Sequence, residues 1–525
     1  THNHFVLDRG GKVFNRSAPV IKLPAEATEA DHLALLGLLN SSTACFWMQQ
    51  AMHNKGGPGG GSSKDEKWHD FFEFSSTRLL EFPVPEMSVA DLAKDAVRIS
   101  ERVAELDPNA VVTQWLRESA ETTRLLDRLN DSQLEYEKGR LELVHVQEEL
   151  DWSVYFAYGL TERQLSFSGP SFIRPGLRAF EIRLARSMAH GEVNTEWFEW
   201  LGIEPTTLIP LDLGKEAVSI QQERCEEIEA NGLIALIEYP SCKRRWESEP
   251  WESRVERAVR AALLDRLEAC FDLDGRMRNE GEPIERPAFP EPRLVSLAQL
   301  ADVAARDPRF LQLGELRTGD RAFDVLALVT ELVLGESVPH LPVLRYKPSG
   351  LAKRAEWERT WELQREEDRT GRPIDGGIPV PPKYASSDFL KSDWWRLRGK
   401  LDVPKERWLT FPGCESSDGT LPIAWAGYDA LQLAQAIAAQ YVDIQERQGG
   451  RDDGRLIPLL ASLIELLPWL KQWHDEPDPR FDGLRMGTYY EGFVTEEARS
   501  LGLSPTQVKA WTPPKTTTRG RKRKE

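Results

Sequence analysis

Residues 31–85 read DHLALLGLLNSSTACFWMQQAMHNKGGPGGGSSKDEKWHDFFEFSSTRLLEFPVP, and this stretch decides the fold class. Leu33, Leu35, Leu36, Leu38 and Leu39 cover nearly every face of a first helix, so that helix must be buried on most sides. Asn40 tolerates the left-handed conformation that ends a helix, and Ser41 or Ser42 can cap the next one. The second helix carries Phe46 and Trp47 and runs out at His53-Asn54-Lys55-Gly56. Glycine loses the most backbone entropy on ordering, so residues 56–63 predict a loop, flanked by Lys55, Lys64 and Lys67. Residues 71–74 follow as a short aromatic strand. Ser75 or Ser76 then caps a turn that carries Arg78 and stops at Pro83 and Pro85.

Outward from this stretch, 525 residues provide for three or four domains. Forty per cent apolar and 29% charged residues describe an ordinary globular chain with ample core. Cys45, Cys225, Cys242, Cys270 and Cys414 have no CxxC spacing, which predicts a reducing, cytoplasmic compartment without disulfides or structural zinc. Residues 1–9 are too polar for a signal peptide. Residues 456–470, the most apolar run, contain Pro458, Glu465 and Pro468 and predict a buried helix pair rather than a membrane span. A formal charge of −17 argues against a protein that coats DNA uniformly, but leaves room for a local basic groove. Most of the acid lies in mixed-charge helices, which predicts solvated faces.

In chain order, residues 5–7 and 13–14 flank Asp8-Arg9-Gly10-Gly11 and predict a hairpin. A chain opening mid-sheet points to an incomplete first domain. From Ser88, the residues Val89, Leu92, Ala96, Ile99, Val103 and Leu106 form a narrow helical seam, with capping-box spacing at Ser88 and Asp91. After Asp107-Pro108, helices are expected over residues 110–129 and 132–150. Trp251, Val255, Ala258, Val259, Ala262, Leu263 and Leu267 share one helix face. Lys243, Arg244 and Arg245 precede Glu247, Glu249 and Glu252, which predicts a solvated charge cluster, with phosphate contact as the functional alternative. Residues 274–293 read as a linker, and residues 296–306 as a helix opening a helix pair or a helix-turn-helix. Arg345, Lys347, Lys353 and Arg354 precede Trp357 and Trp361, a mixture suited to nucleic acid. The alternative has the tryptophans in the core and the charges in water. Helices follow over residues 428–447 and 455–473, and the chain closes on a cationic tail.

Catalytic patterns are missing. Adenine-N6 methyl transfer needs Asn/Asp-Pro-Pro-aromatic to hold the flipped base and its amino group. In Val380-Pro381-Pro382-Lys383-Tyr384 the valine cannot accept that hydrogen bond and lysine stands where the ring belongs. Phe481-Asp482-Gly483 is a weak echo of a cofactor turn, and His474-Asp475 reads as a helix end. Phosphate-loop, HExxH, GxSxG and EF-hand patterns are absent from the sequence. No catalytic, cofactor-binding or metal-binding residue is assigned.

Residues 31–85 resemble the closing part of the TaqI-like target-recognition domain of adenine-specific DNA methyltransferases. KRRWESEPWE, LRYKPSGLAKRAEWERTWELQ, IPVPPKY, WWRLRGKLDVPKERW, LLPWLKQWHDEPDP and YYEGFVTEEARSLGL, in this order, resemble the C-terminal half of the PglX family. That family comprises the adenine-specific DNA methyltransferases of BREX phage-resistance systems, here of the type 2 branch. The resemblance implies a predominantly helical α+β chain. Its expected parts are the end of a recognition domain (1–86), a helical spacer arm (87–150), a helical accessory domain (151–273), a linker (274–293), a C-terminal helical domain (294–514) and a basic tail (515–525). The catalytic module and its S-adenosylmethionine would lie N-terminal to the recognition domain and outside this chain, as in a fragment or a split gene. Double-stranded DNA, that module and other BREX proteins are the expected partners, with no membrane. Lys55, Gly56, Gly57, Lys64, Lys67 and Arg78 would then bind near the target site. Arg345, Lys347, Lys353, Arg354 and the tail residues Arg519, Arg521, Lys522, Arg523 and Lys524 would hold phosphates. The competing expectation is a protein-docking scaffold without DNA, built on the acidic balance, the seamed helices and seventeen tryptophans.

Overall fold

A computed structural model describes residues 3–11, 14, 20–56, 68, 70–118, 124–169, 173–246, 249–273 and 287–514. The chain divides into two compact units, residues 1–115 with 123–255, and residues 116–122 with 256–525. The fold is predominantly helical α+β.

The first unit contains α1 (Glu29–Leu39), α2 (Ser42–Ala51), β1 (His53–Gly56), β2 (Phe71–Glu73), α3 (Ser76–Leu79), α4 (Ala90–Glu105) and α5 (Pro108–Arg117). It continues with α6 (Leu125–Ala157), α7 (Ala179–Ala189), α8 (Trp197–Leu201), α9 (Lys215–Ala230) and α10 (Gly232–Ile237). Helix α6 is 33 residues long and is the axis on which α2 and α4 pack. Helix α1 lies on α4, and they approach closely because Gly37 has no side chain. A Cβ there would stand 3.0 Å from Val89 Cγ2 and 3.1 Å from Ala93 Cβ. One apolar cluster joins Leu38, Met48, Phe82, Val89, Leu150 and Val154. A second joins Trp152, Tyr155, Phe180, Trp197, Ile228 and Ile234.

Several local expectations change. Residues 3–9 form no strand, and Val13 lies outside the described residues. In place of a hairpin partner, the Asn40 side chain accepts from Phe5 N at 3.1 Å and donates to Phe5 O at 3.0 Å. The helices expected over 110–129 and 132–150 are α5 and the single long α6. No proline or glycine interrupts residues 125–138, so nothing stops helix propagation there. The Ser88–Asp91 capping box does not form; α4 has Val89 at its N-cap, and Ser88 Oγ accepts from Ala90 N at 3.2 Å.

The second unit takes up α11 (Trp251–Ala269) from Glu256 onward and adds β3 (Val295–Ser296), α12 (Leu297–Ala304), α13 (Pro308–Thr318), α14 (Val325–Gly335) and β4 (Ser337–Pro339). Next come α15 (Pro342–Arg345), α16 (Pro348–Thr370), α17 (Ser392–Arg398), β5 (Trp408–Thr410) and β6 (Pro422–Trp425). The unit ends with α18 (Ala430–Asp443), α19 (Leu456–Trp473), α20 (Met486–Ser500) and α21 (Pro505–Lys509). The strands form one sheet in the order β3-β6-β5-β4, in which only the β4–β5 pair is parallel. Helix α19 packs between α18 and α20, and α21 covers α19 and α20. The helix pair expected over 456–470 is one helix, α19. Pro458 stands in its first turn, where an amide is not needed, and Pro468 is carried inside it. Among the described residues, no helix is long and apolar enough to cross a membrane.

Candidate functional site

Helix α1 ends at Asn40 with φ −91°, so the left-handed exit does not occur. The Asn40 side chain instead receives Arg244 Nη2 at 3.1 Å. Ser41 caps α2 by accepting from Ala44 N at 3.1 Å. Strand β1 then pairs antiparallel with β2, matching His53 to Glu73 and Asn54 to Phe72, with a register shift before Gly56. Lys55 is exposed and meets Glu73 at 2.8 Å. Ser75 caps α3, where exposed Arg78 reaches Glu81 at 3.0 Å. Lys55, Gly56 and Arg78 thus belong to one short hairpin-and-turn segment, while Gly57, Lys64 and Lys67 lie outside the described residues.

The densest chemistry of the first unit lies in its interior. Lys243 is fully buried, and its ammonium donates to Glu148 at 3.0 Å, Asp151 at 2.9 Å and Glu238 at 2.7 Å. Asp151 also accepts from Ser42 N at 2.8 Å and Ser42 Oγ at 2.6 Å, which locks the start of α2 onto α6. Tyr155 donates its hydroxyl to Glu238. Arg178 pairs with Glu181 at 2.7 Å and donates to Arg244 O at 2.7 Å. Within the same turn of α6, Glu149 accepts from Arg224 at 2.7 Å. The solvated cluster expected at Lys243–Arg245 is therefore corrected for Lys243, which is an interior residue. Arg245 lies over the rings of buried Trp68 and half-buried Trp200, 5.6 and 5.2 Å from their centroids.

Burial of this kind is tolerated because each charge has a partner. Burial pushes the Glu148 carboxyl up to about 7, with Lys243 opposing the shift. Burial also works against the Lys243 ammonium. Asp151, Glu148 and Glu238 outweigh it and hold the group charged well above the usual lysine range. Glu148, Asp151 and Glu238 form the one three-carboxylate group among the described residues with spacing fit for a metal ion. Lys243 already supplies the cation they surround, so the group reads as a lysine clamp.

In the second unit, Arg345 is buried, donates to His340 O at 3.1 Å and faces Asp402 at 3.9 Å. Arg354 lies 3.6 Å from both Asp402 and Glu465. Arg398 faces the same Asp402 at 3.5 Å, and Asp402 holds a positive φ of 52° to present its carboxylate to all three. Lys353 pairs with Asp388 at 2.7 Å, whereas Lys347 is exposed and makes no ion pair among the described residues. Trp357 donates to Pro382 O at 3.1 Å, and Trp361 packs edge-on against Trp469. The charges that sequence order brings together here are shared out between interior pairing and surface. Arg519, Arg521, Lys522, Arg523 and Lys524 lie outside the described residues.

Sequence reasoning missed the lysine clamp. The run Gln147-Glu148-Glu149-Leu150-Asp151 is its local signal, since three acids within one helical turn sit directly before the largely apolar Trp152-Ser153-Val154-Tyr155-Phe156. Searches against known proteins give one strong likeness. Adenine-specific methyltransferase PglX from Streptomyces coelicolor is 38% identical over 537 residues, covering 99% of this chain and 42% of the relative. The chain therefore spans less than half the length of that relative. No solved structure matches. The family model described as "Domain of unknown function (DUF7008)" matches residues 143–523, and the chain belongs to that family.

Proposed function

We propose that this chain is the DNA-recognition and accessory portion of a site-specific N6-adenine DNA methyltransferase of BREX phage defence. The methyl-transfer residues and the S-adenosylmethionine would be supplied by a module outside it. The observation that carries this reading is the 38% identity to the Streptomyces methyltransferase along 99% of the chain. The hairpin segment supports it. Lys55 and Arg78 are tied only to acids as exposed as themselves, and pairs of that kind contribute about 0–1 kcal/mol. A phosphate can displace such partners at little cost. Lys347 offers a similarly open cation in the second unit. Arg345 and Arg354, by contrast, support the reading only through the shape of the unit they hold together.

The test is binding of the purified chain to duplex DNA at about 50 and 200 mM salt, where several phosphate contacts would lower affinity by on the order of a hundredfold or more. Absent binding, or affinity indifferent to salt, sinks the proposal.

A second reading, a scaffold that docks other defence proteins without DNA, is favoured by one feature. An apolar groove of about 210 Å³ is lined by Phe46, Trp47, Phe82, Tyr158, Leu233 and Leu236. Co-elution with the partner proteins in the absence of DNA, lost on Leu236→Glu, would favour it.

A further inference from the structure

A second groove, of about 390 Å³, lies in the second unit between α18 and α20. Tyr489, Tyr490 and Phe493 wall it, Ala438 and Ala439 give it depth, and Glu446 stands on its rim. Helix α18 runs directly into a π-helical turn, Ile444–Gln448, closed by Gly449 N donating to Ile444 O at 3.1 Å. Such turns carry an extra residue and displace the side chains beyond it from helical register. Here the turn itself carries the rim residues Glu446 and Arg447. Arg447 and Gln448 both turn back to Asp443, at 3.4 and 2.6 Å. Glu446 is exposed and has no ion pair among the described residues, so the spare charge of the rim is negative. Tyr489 stands edge-on to Tyr490 with 47% of its surface open. Aromatic faces beside an unspent carboxylate suit guanidinium and ammonium groups.

The chain carries a segment of matching chemistry at the end of its sequence. Arg519, Arg521, Lys522, Arg523 and Lys524 follow Pro514, the last described residue. Helix α21 packs on α19 and α20, and Trp511 closes over Gly413, so the chain leaves from the bundle that contains the groove. The ten residues from Pro514 to Lys524 can span up to ~33 Å. Helix α20 is only ~22 Å long, which leaves its aromatic wall within reach. We propose that residues 519–524 dock in the α18–α20 groove, with arginine or lysine heads on the tyrosine faces and one paired with Glu446. A polyanion would then have to compete for the tail. That consequence rests on the DNA-recognition reading, whereas the docking does not.

The test uses the full chain without DNA. Tryptic cleavage within residues 519–524 is followed by intact mass for the wild type, Glu446→Lys, Tyr489→Ala and the control Glu356→Lys, an exposed acid on α16. Cleavage follows the undocked population, so Glu446→Lys and Tyr489→Ala should each accelerate it about fivefold and Glu356→Lys should not. A synthetic peptide of residues 515–525, added in excess, should accelerate tail cleavage in the wild type by competing for the groove. Equal rates in the wild type and Glu446→Lys overturn the proposal, as does equal acceleration by Glu356→Lys. Peptide binding that leaves the tail rate unchanged also overturns it, because the groove would then receive a basic segment from another molecule.

Discussion

Lys243 lies 95 residues from Glu148 and 92 from Asp151 in the chain, yet all three share one buried point. That separation is why a triplet of basic residues beside glutamates read as surface. The composition of a seven-residue window contains no information about carboxylates on a distant helix. Removing one partner of a buried ionic set leaves the others uncompensated and costs about 3–5 kcal/mol. Lys243→Met should therefore lower unfolding stability in urea by that amount. Arg245→Ala, which loses ring stacking, should cost about 1 kcal/mol. A Lys243→Met chain within about 0.5 kcal/mol of wild type, the range of an ordinary surface substitution, would show that the clamp is not needed. The pH dependence has a definite sign. Glu148 has a folded pKa near 7, above the usual 4.5, so its contribution is full below 4.5 and is lost as pH rises through 7. His4, lowered to about 4 by burial and by Arg244 and Arg245, acts in the opposite sense between 6.5 and 4. The informative quantity is thus the difference between wild type and Glu148→Gln. Between pH 5 and 7.5 the wild type should lose on the order of 2 kcal/mol more than the variant. Parallel stability curves would place the titrating proton elsewhere.

At the scale of elements, what was legible is what is local. Strand β2, the Ser75 cap, the buried face of α11 and the interior run of α19 follow from periodicity and capping within a few residues. The first residues were misread as a hairpin because their hydrogen-bond partner is a side chain, Asn40, rather than a strand. The length of α6 was missed because two amphipathic stretches joined without a breaker look like two helices. Close crossings, too, cannot be seen from one strand of sequence. Gly37 looks like a helix weakness, but its Cα faces Val89, Ala93 and Leu150 of two other helices. Gly37→Val would push α1 off α4 and should destabilise the chain by about 1–3 kcal/mol, the usual result of overpacking. Gly232→Ala, where an added Cβ meets nothing within 4 Å, is the matched control and should be near neutral. Both replacements raise helix propensity, so equal losses at the two positions would mean that something other than the crossing sets the cost.

For the whole molecule, a net charge of −17 must be reconciled with the proposed polyanionic partner. Uniform attraction is excluded, so association has to depend on a few cations whose present partners are weak. Lys55 and Arg78 meet that condition, and buried Arg345 does not. The distinction was illegible in the sequence, where exposed Arg78 and buried Arg345 both have leucine beside them, and it divides the basic residues into two experimental classes. Each phosphate contact adds about 0.9 to the slope of log affinity against log salt. Lys55→Ala and Arg78→Ala should each lower the slope by about 1 while leaving urea stability within about 0.5 kcal/mol of wild type. Arg345→Ala should do the reverse, leaving the slope of the still-folded fraction unchanged and costing about 3 kcal/mol, since Asp402 loses a buried partner. If Arg345→Ala alone changes the slope, the second unit opens on DNA and its arginines, not the hairpin, hold the phosphates. If none of the three changes it, the acidic chain does not meet DNA through these residues, and the apolar groove around Trp47 becomes the better account of what it binds.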